Sequence, residues 1–496
     1  MKLRPIQEKA KQDILKSFSS GGTYHLCEAV VSFGKTILSS SLMETALLEH
    51  GAKCLFLAHL QELVSQTYEK FVMVAPQLRD RVGIFSSGHD RKEVADITIG
   101  SRQSVALGLK KFSKINLIVI DEAHLMSDDG QFDHIISYFL ALNPRLRVLG
   151  ITGTPYRLKG GFIYGEGKRF PKLAHRTGMK EMIEAGFLSP FKYKMKVDQK
   201  MKDDLEKIAL VSGEYNQGSL GETMQDSIHM NSVRIAIEEH AQDRKHIIAF
   251  ATNIKHAEAL AFVLKCKCVH SQMHKDDVRK NIDDFKNGVS RILVNVGILS
   301  IGFDAPITDC AVLARPTMSP AMYTQMIGRA LRISEGKKDA LILDLVGNYS
   351  KHGSPMDPYV KEAKKKEPEP NVCPECFDVV PPELSICPEC GYNLKEIVEA
   401  REKKEKKLEQ ERILMEEIDV KKSLVVKKWA KDPHITGKGN YGILFCIKVR
   451  GKSKPLFKFA GHNSKWMDGV VDNFNKIEVG EYYEIQENSY GGWITV

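Results

Sequence analysis

Apolar residues gather in short unbroken runs: Cys54 to Ala58, Leu117 to Ile120, Val148 to Ile151, Ile247 to Ala251, Ile292 to Val296, Ala311 to Ala314 and Ala340 to Leu343. The runs do not alternate with polar residues, so each predicts a strand buried on both faces. Amphipathic stretches at helical spacing separate them, the pattern of parallel sheets flanked by helices. The runs form two groups, one ending near Thr154 and one beginning near His246, with a Gly-rich stretch (159–168) and mostly polar, helical sequence between them. An α/β protein with two parallel-sheet domains follows, over 1–192 and 193–350.

The pattern changes after Asn348. Residues 351–370 are rich in Lys, Glu and Pro and read as a linker, and 371–393 form a compact cysteine segment. Residues 394–421 read as a charged helix, polar nearly all round. In 422–496, short runs separated by Gly, Asn, Lys and Ser predict a small β domain holding all three tryptophans, Trp429, Trp466 and Trp493.

Composition narrows the class. With 496 residues, 43% hydrophobic and 27% charged, the chain has a globular balance and room for several cores. No apolar stretch reaches the roughly 20 residues of a membrane span, and Met1 opens on a polar segment, so a soluble cytoplasmic protein is expected. The net charge of +9 divides into +8 over 1–350, −3 over 351–422 and +4 over 423–496. The excess lies on the paired domains and the terminal β domain, where a polyanionic partner would bind.

Residues 29–36 read AVVSFGKT, a phosphate loop with Ala29 at the usual first glycine. In such a loop Ser32 and Gly34 belong to the cradle, Lys35 neutralises the β- and γ-phosphates, and Thr36 ligates Mg²⁺. The run Leu117 to Ile120 delivers Asp121, Glu122, Ala123 and His124 at its carboxyl end, where ligands bind in open α/β sheets. Asp121 suits Mg²⁺ and Glu122 suits the general base for an attacking water.

Taken in order, these motifs resemble superfamily 2 helicases and translocases over residues 2 to 348, which implies two RecA-like domains. Leu3-Arg4-Pro5-Ile6-Gln7 is similar to the N-terminal glutamine motif, implying adenine recognition by Gln7 and nucleotide binding by Arg4. Segments 58–63 and 100–104 resemble motifs that touch nucleic acid, with His59, Ser101 and Gln103 as contacts, and Thr252 joins them. Asp121 to His124 spell the DEAH form. Thr152-Gly153-Thr154-Pro155 resembles the coupling motif in the version common among DNA translocases, joining Thr152 and Thr154 to His124. Gly302-Phe303-Asp304-Ala305-Pro306 resembles the fifth motif, placing Gly302 and Asp304 by the nucleotide. Residues 325–332 resemble the sixth, with Gln325, Arg329 and Arg332 reaching the γ-phosphate from the second domain. Arg329 and Arg332, three apart, are expected on one face of one helix.

The wording of the motifs and the cysteine segment behind the motor are similar to the RadD family of bacterial DNA-repair helicases and its phage relatives. Two departures stand out: Ser32 replaces a usual glycine, and there is one four-cysteine cluster. The resemblance implies an ATP-driven DNA helicase or translocase acting on branched or partly single-stranded DNA in repair, recombination or replication, alongside other repair or replication proteins and without a membrane. An RNA helicase, or a DNA-binding scaffold with a weak motor, are the alternatives.

Cys373, Cys376, Cys387 and Cys390 form CxxC, ten residues, CxxC, the spacing of a structural four-thiolate Zn²⁺ site. The other six cysteines read as small core residues. In the terminal β domain, aromatics interleaved with lysines suit base stacking along a single strand, or equally a plain β core with a solvated surface.

Overall fold

The computed structural model describes residues 2–496 except 59–61, 128–129, 158–160, 198, 212, 298–304, 357–369, 404–405, 407–422, 436–440, 450–455, 462–473, 480–481, 484, 488–492 and 496. It divides into two units, 1–392 and 393–496.

Ten strands build the first domain: β1 Tyr24–Ala29, β2 Cys54–Ala58, β3 Val82–Ser86, β4 Arg91–Lys92, β5 Ile97–Ser101, β6 Leu117–Asp121, β7 Arg147–Thr152, a hairpin of β8 Tyr156–Arg157 and β9 Gly161–Phe162, and β10 Leu173–Thr177. Eight form one sheet in the order β10-β1-β7-β6-β2-β5-β3-β4, parallel except for β4. Separate apolar clusters cover its two faces, one around Ile14, Leu38, Phe56 and Phe71, the other around Leu55, Ile120, Phe132 and Phe139. Burial on both faces explains the absence of alternation in β2 and β6.

The second domain holds β11 Phe191–Met195, a hairpin of β12 Leu210–Val211 and β13 Glu214–Tyr215, then β14 Ile247–Phe250, β15 Lys267–Val269, β16 Ile292–Asn295, β17 Cys310–Leu313 and β18 Ala340–Asp344. Its parallel sheet runs β11-β18-β17-β14-β16-β15. The boundary expected at 192/193 falls inside β11, which pairs with β18 from Phe191↔Ala340 onward. One apolar cluster continues from the first domain into the second through Leu188, Tyr193 and Leu331.

The expected linker also begins later than 351. The helix Asn348–His352 is packed down: Asn348 Nδ2 donates to the Arg315 carbonyl, and His352 Nε2 lies 2.9 Å from the Thr317 carbonyl. Most of the remaining linker lies outside the described residues.

The cysteine segment contributes β19 Asn371–Val372 and β20 Val379–Val380, an antiparallel pair. It extends the second sheet, because Asp378 bridges to Lys194 of β11 and Met195 N donates to the Phe377 carbonyl at 3.0 Å. A bare edge strand is thereby covered.

In the second unit, residues 395–403 are helical, and most of the rest of the expected charged helix lies outside the described residues. β21 Ser423–Ile435, β22 Tyr441–Val449, β23 Leu456–Gly461 and β24 Tyr482–Tyr483 form one sheet, and β25 Ile485–Glu487 pairs with β26 Trp493–Thr495. Phe445 is buried against Phe474, whereas Trp429 is half-buried with Lys427 Nζ 5.6 Å from its ring centre. Phe445 is therefore core and Trp429 keeps a partly open face. Among the described residues no helix is long and apolar enough to cross a membrane.

Candidate nucleotide site and metal centre

β1, β7 and β6 are neighbours, so the loops leaving their carboxyl ends converge. The β1 loop turns through a hydrogen bond from Phe33 N to the Val30 carbonyl, and the helix Lys35–His50 begins behind Gly34. Phe33 is fully buried and anchors the turn in the core. Ala29 ends a regular strand, so the missing first glycine costs no unusual backbone geometry. The demanding positions are later: Gly34 has φ +88° and Ser32 has φ +62°. Gly34 needs its lack of side chain twice over, since a Cβ there would meet Gln7 Nε2 at 2.4 Å. Ser32 holds a conformation that L-residues resist, and its Oγ is buried without a hydrogen-bond partner among the described residues.

Gln7 is buried and clamps this loop. Its Nε2 donates to the Phe33 carbonyl at 2.8 Å, while its Oε1 accepts from Arg4 N at 2.9 Å and caps the helix Pro5–Ser19. The Arg4 guanidinium lies 4.5 Å from the Phe187 ring centre.

Lys35 Nζ makes a 2.9 Å ion pair with Glu122 Oε1. Burial works against the lysine's charge, but the Glu122 and Asp121 carboxylates outweigh it and raise the Lys35 pKa. Burial, reinforced by the Glu122 charge, pushes Asp121 up to about 6 against the pull of Lys35. Glu122 stands at φ +51°, out of line with β6. Its Oε2 accepts from Thr152 Oγ1 at 3.4 Å and lies 3.4 Å from His124 Nδ1. Thr152 Oγ1 is 2.8 Å from His124 Nδ1 and accepts from Thr154 N at 3.1 Å, and Thr154 Oγ1 lies 3.3 Å from the same histidine nitrogen. The carboxylate facing Lys35 is thus wired to the β7 loop. Arg157, which the motifs left unmarked, donates from Nε to the His124 carbonyl at 3.1 Å and locks the arrangement; its place three residues past Thr154 was the only sequence signal.

Gln325 and Arg329 share one face of the helix Pro320–Ala330, and the Arg329 charge acts on Lys35 across the domain boundary. A Cβ on Gly328 would meet Val31 Cγ2 at 2.4 Å, so this helix rests directly on the phosphate loop. Arg332 departs from expectation: the helix ends at Ala330, and Arg332 pairs in a bridge with Leu188. The chain turns to meet the interdomain segment, where Ser189 N donates to the Leu331 carbonyl at 2.7 Å, so the two arginines are not on one helical face.

Candidate nucleic-acid residues divide. Gln103 is exposed in the first turn of the helix Arg102–Leu107. Ser101 is buried and caps that helix, its Oγ accepting from Ser104 N. Thr252 is buried, with Oγ1 3.0 Å from His256 Nδ1. His59, Gly302 and Asp304 lie outside the described residues.

Thr36 sits in the first helical turn and Asp121 at the end of β6, offering the hard oxygen donors that Mg²⁺ takes beside a bound triphosphate. The four segment thiols lie within 4.8 Å of one another, Cys373 and Cys390 at 3.5 Å and Cys376 and Cys387 at 3.6 Å. Zn–S bonds of about 2.3 Å in a tetrahedron require sulfurs about 3.8 Å apart, so the cluster is compatible with zinc. Both knuckles turn alike: Phe377 (φ +60°) and Gly391 (φ +76°) follow the second cysteine of each pair, their N–H groups donating to the Cys373 and Cys387 carbonyls. Burial opposes a Cys373 thiolate, but N–H groups of Cys376 and Glu375 bring its pKa below the ordinary thiol value.

Two outcomes follow. Ser32→Gly relieves the left-handed strain, and even after the added freedom of the unfolded chain it should raise the nucleotide-free melting temperature by about 2–4 °C; a lower value contradicts the strain argument. Metal analysis of the purified protein should find about one zinc per chain, lost in Cys376→Ser; a metal-free protein with native stability would remove the zinc assignment.

Comparison with known proteins agrees with this geometry. Residues 1–157 match the family described as "Type III restriction enzyme, res subunit" and 229–334 match "Helicase conserved C-terminal domain". A "51.5 kDa protein" of a Lactococcus phage is 26% identical over 92% of this chain and 96% of its own length. The "Putative ATP-dependent helicase IRC3" of Saccharomyces cerevisiae is 26% identical over 70% of this chain, which spans 51% of that protein. Among solved structures, "a putative HsdR subunit of a type I restriction enzyme" from Vibrio vulnificus superposes with a TM-score of 0.54 at 20% identity, covering 72% of this chain and 67% of that one. The "ATP-dependent Type ISP restriction-modification enzyme LlaBIII bound to DNA" gives 0.50 at 17% identity, covering 70% and 28%. These two show the shared fold. With a phosphate loop, an acidic pair wired to a coupling loop, and a second-domain helix resting on the phosphate loop, the chain carries both halves of a helicase motor and is similar to ATP-dependent helicases of superfamily 2.

Proposed function

We propose that this chain is an ATP-dependent superfamily 2 helicase, a DNA translocase or helicase of the RadD type, acting on branched or partly single-stranded DNA in repair, recombination or replication. The observation that carries the proposal is the network Lys35–Glu122–Thr152–His124–Thr154, which joins nucleotide chemistry to the loop whose Thr-Gly-Thr-Pro wording resembles DNA translocases. The restriction-enzyme match over 1–157 supports DNA over RNA.

In this reading Lys35 leaves Glu122 for the β- and γ-phosphates when ATP binds. Glu122 then turns to the attacking water and acts as general base. Thr36 and Asp121 would hold Mg²⁺, which would supply charge neutralisation beside the phosphates. Gln325, Arg329 and Arg332 complete the site from the second domain, so hydrolysis requires closure, and closure moves the two domains along the strand. Glu122's change of partner reaches Thr152 and His124, which pass it to the DNA-contacting residues, Gln103 among them. The motif wording gives Gly302 and Asp304 a share in nucleotide binding, and Cys373, Cys376, Cys387 and Cys390 would hold zinc, which would supply folding energy to the module that covers β11.

Forks, Holliday junctions, D-loops, plain duplex and RNA hairpins should be compared for stimulation of ATP hydrolysis. Branched or gapped DNA should stimulate turnover about tenfold or more, weakening steeply with salt because the contacts go to phosphates, and Lys35→Ala should abolish it. Stimulation by RNA alone would overturn the DNA assignment.

A further inference from the structure

The helix Pro320–Ala330 presents Gln325 and Arg329 to the nucleotide, yet its carboxyl end lacks the usual cap. The last carbonyls of a helix have no intrahelical partners. Here the C-cap residue, Leu331, is right-handed, so no glycine turn folds back to satisfy them. The chain instead reverses over 333–339 through Gly336 (φ +75°) and a hydrogen bond from Lys337 N to the Ser334 carbonyl. That reversal brings Lys337 back beneath the helix it has just left.

Lys337 Nζ donates to three backbone carbonyls. Those of Thr308 and Arg332 are each 2.6 Å away, and the third belongs to Ala330. An ammonium has three N–H donors, so the tripod uses all of them. Its acceptors come from two segments. Ala330 and Arg332 flank the end of the arginine-bearing helix, while Thr308 follows the loop 302–306, which contains the fifth motif. Burial brings the Lys337 pKa down to about 8, with Asp309 and Asp339 favouring the charge from outside the tripod and Arg244 opposing it. Arg244 is itself paired with Asp339, and no carboxylate among the described residues makes an ion pair with Lys337. The charge is therefore held by carbonyls at the negative end of a helix.

We propose that Lys337 is a positioning residue for hydrolysis: its ammonium ties the end of the helix bearing Arg329 to the exit of the fifth-motif loop, fixing Arg329 and Arg332 relative to the phosphate loop. This rests on the proposed role of the two arginines. Lys337 touches neither nucleotide nor strand, and acts through the backbone on either side of Leu331. Removing the tripod takes a donor from each of three carbonyls, leaving that of Arg332 the longer 3.4 Å bond from Ser189 Oγ, and lets the helix end fray toward Leu188. An arginine displaced by about 1 Å loses much of its value in the transition state while ground-state binding is little changed.

The test uses the whole 496-residue chain as purified. Lys337→Met keeps the length of the side chain and removes every donor. Lys337→Gln keeps two, and carries the test if the methionine variant does not fold. For each, nucleotide affinity is measured with a fluorescent ADP, and kcat and KM for ATP are measured with saturating DNA, beside Arg329→Ala. The account expects kcat to fall about tenfold or more in Lys337→Met and by less in Lys337→Gln, with nucleotide affinity within about threefold of the parent. Unchanged kcat, or equal losses of kcat, affinity and thermal stability, would make Lys337 merely structural and overturn the proposal. If Arg329→Ala itself keeps full turnover, the arginine assignment fails, and that result is separate from the behaviour of Lys337.

Discussion

The ion pair between Lys35 and Glu122 is the contact on which the rest of the motor depends. It stands at the meeting of β1, β6 and β7, with each partner about one-fifth exposed. At such a depth neither charge is stable alone, because losing one partner leaves an uncompensated charge. Lys35 therefore needs anions beside it, Glu122 with Asp121 behind it or a phosphate. In the proposed reading nucleotide arrival changes the partner of Glu122, and the bonds that Glu122 accepts from Thr152 Oγ1, and that link Thr152 Oγ1 with His124 and Thr154 N, carry the change away. The phosphate loop is shaped for the same purpose: Gln7 clamps it, Phe33 anchors it, and Gly328 lets the second domain settle on Val31.

Much of this was legible in the sequence. Strands buried on both faces leave apolar runs, so β2, β6, β7, β14, β16, β17 and β18 could be read directly. Edge strands could not: β10 (LAHRT) and β11 (FKYKM) carry charged residues because each has one partner strand within its sheet, and without an apolar run β11 was split by the boundary expected at 192/193. Motif wording located Lys35, Glu122 and Thr152, since short spacings along a chain survive folding. It misplaced Arg332, because a helix end is decided by what the chain meets next, here Leu188, and that contact spans more than a hundred residues. Ser101 shows the same limit, since its residue type fits equally a strand contact and the helix cap it forms.

The cysteine module gains a second meaning from its location. Spacing announced a metal site, but only the fold shows that Asp378 and Phe377 extend the second sheet at β11, while Lys192 reaches Glu389 at 2.5 Å and Lys196 Nζ lies 4.8 Å from the Phe377 ring centre. A metal that orders this segment therefore also protects an edge that would otherwise offer unpaired backbone groups. In the second unit, Phe445 lies inside and Trp429 on a partly open face beside Lys427, so the aromatics of one sheet divide between core and surface.

The claim that Glu122 exchanges Lys35 for the attacking water is tested most directly by single-turnover hydrolysis and nucleotide binding in Glu122→Gln. The amide keeps the shape but gives up both the charge that holds Lys35 and the basicity that activates water. ATP affinity should be retained or increased, because Lys35 no longer has an ionised competitor, while hydrolysis should slow by about 10²–10⁴-fold. Hydrolysis at the parent rate, or loss of ATP binding together with turnover, would contradict the account.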